Sequence, residues 1–365
     1  MQTAQQHSVS SQQRVAREWR PATAARVQTD TVALGLLAAF AIVAPPFLGD
    51  YWLKGILIPA LIFSIAALGQ NIVTGYAGLI SLGQAAFMAV GAFAAVIAYG
   101  RYQLPLPLSI GLGGVVSAAV GVIVGTPSLR IKGLYLLVAT LAAQFLIVWL
   151  IQRVPWIGAG SAVTLNTPPV YLGGWLIDTA IKQYYLTLAI AALLTVFAWN
   201  LIRGRIGRAW MAIRDQDVAA AVMGISLLKY KLLAFMISAA YAGIAGSLIV
   251  FTWVGAANIQ EFELDLSIQI LGMVIIGGLG SILGSFLGAA FIALLPILIS
   301  ISMHKFYGLV GDHLVSAAVL ANAERVVLGT LILLFLIAEP LGLARLWHRL
   351  SSSIDRSIAA YANRN

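Results

Sequence analysis

The chain has 365 residues, 61% of them hydrophobic and 10% charged, with a mean hydropathy of +0.94, a balance that leaves too little polar surface to clothe a water-soluble domain. Its 22 basic and 13 acidic residues give a formal net charge of +9, and it has no cysteine, so disulfides, thiolate nucleophiles and cysteine-ligated metals are excluded. The four histidines, His7, His304, His313 and His348, lack ligand spacing, and no metal site is expected.

Residues 1–30 read as a retained, flexible cytoplasmic tail bearing Arg14, Arg17, Arg20 and Arg26, because no convincing small-residue cleavage site follows. From residue 31 onward, apolar runs recur at close to the ~20 residues a helix needs to cross the hydrocarbon. They lack the period-two alternation of a membrane barrel. The fold class is therefore all-α, a polytopic transmembrane helical bundle. Crossings are predicted over 31–48, 52–74, 84–100, 104–125, 133–151, 183–202 and 232–254. The stretch 266–301 is too long for one crossing, and its glycine-rich centre at 277–281 divides it in two. Residues 326–338 then close a membrane domain spanning 31–342, ahead of a basic tail at 343–365, for ten crossings in all.

Lysine and arginine concentrate on the cytoplasmic side of short loops. With the N-terminus inside, Arg130, Lys132, Arg203, Arg205, Arg208, Arg214, Lys229, Lys231, Arg345, Arg349, Arg356 and Arg364 all fall there, and the outer side keeps few basic residues. Both termini and the loop 203–231 are thus expected to be cytoplasmic, with Ser267 reachable from outside. Two glycine series, Gly121 with Gly125 and Gly280 with Gly284 and Gly288, give flat helix faces suited to close packing.

Ionisable side chains are nearly absent from the span interiors, which argues against an ion-coupled carrier. The phosphate-cradling GxxxxGK[ST] loop is also missing, so any transport must draw its energy from another protein. Two constellations carry the remaining chemistry. The first is polar and glycine-rich: Asn71, Gly75, Tyr76, Gly78, Ser81, Gly83 and Gln84. Broken backbone here would line a translocation pathway or a subunit interface, with Asn71, Ser81 and Gln84 serving freed backbone groups; the other reading is an interfacial turn anchored by Tyr76.

The second constellation is the loop 203–231. Asp215 is expected to cap a short helix that runs through Met223, with Gly224 at its C′ position. Val218, Ala219, Val222 and Met223 share one face by spacing, Ala219 and Ala220 keep it thin, and Arg208 and Arg214 supply a basic surround with Arg214 at the rim. Such a helix docks in a groove on another protein, or it rests on lipid with its arginines reading anionic head groups.

Four stretches resemble the bacterial branched-chain amino acid ABC importer permeases of the LivM type: GYAGLISLGQAAFMAVGAFAA at 75–95, IKGLYLLVATLA at 131–142, GRAWMAIRDQDVAAAVMGI at 207–225 and GMVIIGGLGSILGSFLGAAF at 272–291. The resemblance covers about residues 31 to 342, in the family's order, and departs from it in the tail and in the outer loops 152–183 and 302–323. It implies a subunit of the bacterial inner membrane paired with a homologous LivH-type permease. It also implies two cytoplasmic ATP-binding subunits that hold ATP and magnesium, an external substrate-binding protein, and segment 215–224 as the coupling helix. This chain would bind no cofactor or nucleic acid and do no bond chemistry. The implied cargo is a branched-chain or other amino acid. Urea or short amides in the same kind of importer, and a membrane scaffold that moves nothing, are the alternatives.

Overall fold

The computed structural model describes residues 49–128, 134–154 and 164–310, together with positions 45, 156, 157, 326, 327, 329, 330, 334 and 343. The tail 1–30 and the span predicted at 31–48 are outside the described residues except for position 45, and the last span and the C-terminal tail are outside them except for the isolated positions just given.

The first described helix, α1 (Asp50–Tyr76), is continuous but opens into π-turns at Leu53–Leu57 and Ile72–Tyr76. It is followed by α2 (Gln84–Gly100), α3 (Leu106–Ser128) and α4 (Leu134–Arg153). Next come α5 (Ala180–Arg203), the short helices α6 (Arg205–Asp215) and α7 (Asp217–Val222), and α8 (Leu227–Val254), which ends in a third π-turn. A glycine turn joins α9 (Leu264–Gly277) to α10 (Ile282–Val310), so the long apolar stretch divides at the predicted place.

The loop between α4 and α5 adds strands to an otherwise helical chain. There β1 (Thr164–Asn166) pairs antiparallel with β4 (Ala256–Asn258), which follows α8, and β2 (Tyr171–Leu172) pairs with β3 (Trp175–Leu176). These strands mark one end of the bundle, and the α6–α7 segment marks the other.

Helices α1 and α8 form the centre: 78% of the apolar window of each is buried, against 39% for α3, 33% for α4 and 28% for α5. The sequence of α8 explains its place, because Ala234, Ala239, Ala242, Gly243, Ala245 and Gly246 let α2 and α3 close on it. Gly91 of α2 meets Gly243 backbone to backbone. Ser247 donates to the Gly91 carbonyl at 3.1 Å, and Ser117 donates to the Phe87 carbonyl at 2.7 Å. A methyl group on Gly121 would stand 2.6 Å from Ala239 Cβ, and one on Gly125 would stand 3.2 Å from Leu232 Cδ1, so this predicted pair does seat α3 on α8. Gly284 and Gly288 likewise press against Gly277 and Met273 of α9. Gly280 does not belong to that face. It lies in the turn between α9 and α10 with φ +74°, where the chain reverses and a side chain would be strained.

Helix α2 does not begin at a surface. Gln84 donates to the Ala66 carbonyl at 3.3 Å, and Ala66 lies ten residues before the end of α1, about 15 Å along its axis. Residues 77–83 therefore fold back into the bundle in an irregular path. From the other side the chain after α8 does the same, since Phe262 and Ser267 meet Gln144, ten residues after Leu134 and nine before Arg153 on α4.

Two broken segments thus meet at the middle of a candidate span, where each loose backbone N–H or C=O needs a partner inside the protein. Gln144 supplies two of them: its Oε1 accepts from the Ala86 N–H at 2.7 Å, and from the Ser267 hydroxyl at 3.2 Å as well, and its Nε2 donates to the Phe262 carbonyl at 2.9 Å. The Ser267 hydroxyl accepts the Ala85 N–H at 2.9 Å, and Thr140 accepts the Leu82 N–H at 3.2 Å.

Replacing Gln144 by Leu would strand the Ala86 N–H and the Phe262 carbonyl, each at a cost of about 1–3 kcal/mol. The Gln144→Leu chain should melt several degrees lower in detergent than wild type, whereas Gln144→Glu, which keeps the acceptor, should fall between the two.

Ser267, expected at the outer surface, is buried at 1% exposure, so Gln260, which is exposed, replaces it as the outer probe. A single cysteine at Ser226 should resist an impermeant thiol reagent added outside intact cells, and one at Gln260 should react; equal labelling would refute the orientation.

Candidate functional site

The loop 203–231 folds as two helices rather than one. Ile206, Ala209, Trp210 and Ile213 recur at i, i+3, i+4 and i+7, the period of an amphipathic helix, and they turn the apolar side of α6 against the bundle. Trp210 is fully buried and donates its indole N–H to the Tyr230 carbonyl at 2.8 Å. Arg208, on the opposite side, is exposed.

Asp215 is therefore not the cap of the short helix. It is the last residue of α6, and Gln216, in extended conformation, precedes α7. The Asp215 carboxylate pairs instead with its neighbour Arg214 at 3.0 Å. Gly224 does take the left-handed conformation expected at C′, with φ +84°. Val218, Ala219, Val222 and Met223 are all exposed, Val222 at 84%, so the predicted apolar face is present and bare. Ala220 is not part of it: it is fully buried and seats α7 on the protein.

The Asn71–Gln84 constellation lies inside the fold. Asn71, Ser81 and Gln84 are buried, as is Tyr76, which removes Tyr76 from the role of interfacial anchor. Asn71 donates to the Ser281 carbonyl at 2.8 Å and to the Ser285 hydroxyl at 2.9 Å, and it accepts the Gly280 N–H at 2.8 Å. One amide thus stitches the end of α1 to the α9–α10 turn. Gln70 donates to the Ser81 carbonyl at 2.8 Å, Thr74 donates to the Leu79 carbonyl at 3.1 Å, and Gly83 donates to the Ser81 hydroxyl at 3.3 Å. Ser238 of α8 donates to Gln84 Oε1 at 3.3 Å. Gly75 packs against Asn71 and Gly280. Within this break Gly78 and Ile80 are the exposed residues.

The two constellations, more than 100 residues apart in sequence, meet at Arg214. Its Nη1 donates to the Gly75 carbonyl at 2.9 Å, so the side chain reaches back onto the end of α1 while part of it stays exposed. Gly78, with φ +70°, lies flat beneath its stem. Around this junction Ala77, Gly78, Leu79, Gln216, Asp217 and Lys231 line part of an open cavity of about 440 Å³. Lys231 reaches Asp217 at 4.0 Å across it. Sequence reasoning missed the junction because neither segment signals the other. Among the described residues no group of three or more His, Asp or Glu is placed to hold a metal ion.

Comparison with known proteins places this architecture. Residues 53–336 match the family described as branched-chain amino acid transport system / permease component. The high-affinity branched-chain amino acid transport system permease protein LivM of Salmonella typhimurium is 32% identical over 264 residues, covering 66% of this chain and 61% of that protein. Its namesake from Escherichia coli is 31% identical over 275 residues, covering 68% of this chain and 63% of that one. The autoinducer 2 import system permease protein LsrC of an Enterobacter species is 28% identical, covering 71% of this chain and 75% of its own length. The chain thus spans somewhat less than two thirds of the LivM proteins it matches. No solved structure matches it. The apolar helices and a family match over most of the chain agree, and the chain is a membrane protein belonging to the branched-chain amino acid transport system permease family.

Proposed function

We propose that this chain is a membrane permease subunit of an ATP-driven, binding-protein-dependent importer whose cargo is a branched-chain or other amino acid. The observation that carries the proposal is α7, a short helix between two spans whose Val218, Ala219, Val222 and Met223 are exposed, with nothing among the described residues covering them. An apolar face of that size on a soluble loop marks a docking surface. Family membership and the names of the relatives support an importer and an amino acid cargo.

In this reading the chain sits in the bacterial inner membrane with both termini cytoplasmic and ten crossings. It pairs with a homologous permease and receives solute from an extracytoplasmic binding protein. It performs no bond chemistry and has no ATPase site, and ATP with magnesium is held by two cytoplasmic ATP-binding subunits. One of these seats α7 in a groove, and closing around ATP moves the helix. Gly78 and Ile80, the exposed part of the broken segment, then face the solute route or the partner permease.

Val222→Glu or Ala219→Glu puts a charge into the docking face, where desolvation without a partner is unfavourable. Either variant should reach the membrane at normal abundance yet co-purify with far less ATP-binding subunit and lose at least tenfold in uptake. Complexes that keep those subunits and wild-type turnover would move α7 onto lipid instead. Binding measurements on the extracytoplasmic protein with leucine, urea and short amides decide the cargo.

A further inference from the structure

Resting on that reading, the geometry points to Arg214 as the positioning residue that carries the movement of α7 to the end of α1 and the α9–α10 turn at once. Three observations converge. Arg214 is the penultimate residue of α6, two residues before the extended Gln216 that joins it to α7, so a displacement of α7 pulls on its backbone through Asp215 and Gln216. Its guanidinium lies half-exposed over the end of α1: Nη1 donates to the Gly75 carbonyl, and the position a Cβ of Gly280 would take lies 3.3 Å from the same nitrogen. Asp215 meanwhile holds Nε at 3.1 Å and Nη2 at 3.0 Å, which orients the planar fork.

The recipients are joined to each other as well. Asn71 ties Gly280, Ser281 and Ser285 to α1, so the Arg214 contact acts on a single stitched unit made of the α1 end and the α9–α10 turn. The surroundings fit a clip and resist its loss. Gly78 has φ +70°, and a methyl on it would stand 2.9 Å from Arg214 Cγ and 3.2 Å from its Cα, so the irregular segment 77–83 lies directly under the arginine stem. Lysine would keep one donor for the Gly75 carbonyl but lose the fork that Asp215 grips. The cavity beside the junction leaves room for the clip to shift without displacing packed side chains.

The test uses the full chain, alone in detergent and then assembled with its partners. In the chain alone, Arg214→Met should speed amide hydrogen exchange about tenfold over residues 72–82 and 276–282 while leaving 236–248 in α8 unchanged. Arg214→Lys should restore part of the protection, and Gly78→Ala, which displaces the stem, should reproduce the Met variant. Unchanged exchange in both segments overturns the clip. In the assembled transporter, Arg214→Met should keep its ATP-binding subunits and still hydrolyse ATP, but move about tenfold less solute per ATP. Wild-type stoichiometry in that variant overturns the transmission role even if exchange has risen. Failure of the wild-type chain to hold any ATP-binding subunit overturns the functional reading and the transmission with it, and the exchange data then decide the clip alone.

Discussion

An unpaired peptide group has nowhere to go inside a bilayer, and that constraint organises this protein. Among the described residues the chain leaves helical geometry within its apolar body at 77–83, between α8 and α9, and in the α9–α10 turn. Each departure frees backbone donors and acceptors that need partners inside the protein. Two side-chain amides answer several of them. Asn71 serves the α9–α10 turn through both its oxygen and its nitrogen, and Gln144 serves the start of α2 and the approach to α9 in the same two-sided way. An amide suits the task because it offers donor and acceptor without a charge to desolvate.

Around these two knots the packing is made by small residues. Lipid chains are as apolar as leucine, so nothing like the hydrophobic effect in water draws one membrane helix to another; close backbone contact has to do it. Gly91, Gly113, Gly243 and Gly246 bring α2, α3 and α8 together so tightly that hydroxyls of Ser117 and Ser247 reach carbonyls of the neighbouring helix. The centre is therefore rigid, and the irregular segments are fixed against it by a few directed hydrogen bonds. Such a division suits a machine in which a few contacts change while the bulk stays put.

Much of this was legible in the sequence. The approximate limits of the described helices from 52 to 254, the split at Gly277–Gly280 and the packing role of Gly121 and Gly125 follow from apolar length and glycine spacing, both local properties. The exposed face of α7 follows from spacing as well. What escaped is what depends on a distant partner. Asp215 has the chemistry of a helix cap, but its neighbour Arg214 holds it. Ala219 and Ala220 are indistinguishable by composition, and only the docking of α7 on the bundle decides that Ala219 is bare and Ala220 buried. Helix α6 is visible in the spacing of Ile206, Ala209, Trp210 and Ile213, although arginines stand between them. Gln144 is a single polar residue in an apolar run, and nothing around it announces which backbone it will meet.

The sparse burial of α5 has a consequence of its own. The helix has 24 residues, about 36 Å of length, against a hydrocarbon layer of about 30 Å. It is held at few points: Thr187 shares a hydrogen bond with Thr252, and Tyr241 donates to the Leu194 carbonyl. Leu193, Val196 and Phe197 look outward, and Arg203 lies over the Trp199 ring at 3.9 Å near its last turn, a pairing that favours the headgroup layer. Length beyond the hydrocarbon is met by tilting, by kinking or by a locally thicker bilayer. Because only the extended Gly204 separates α5 from α6, a change in the tilt of α5 would carry to the loop that holds α7. Bilayer thickness would then bear on that loop through α5, the least buried of the five described helices long enough to cross.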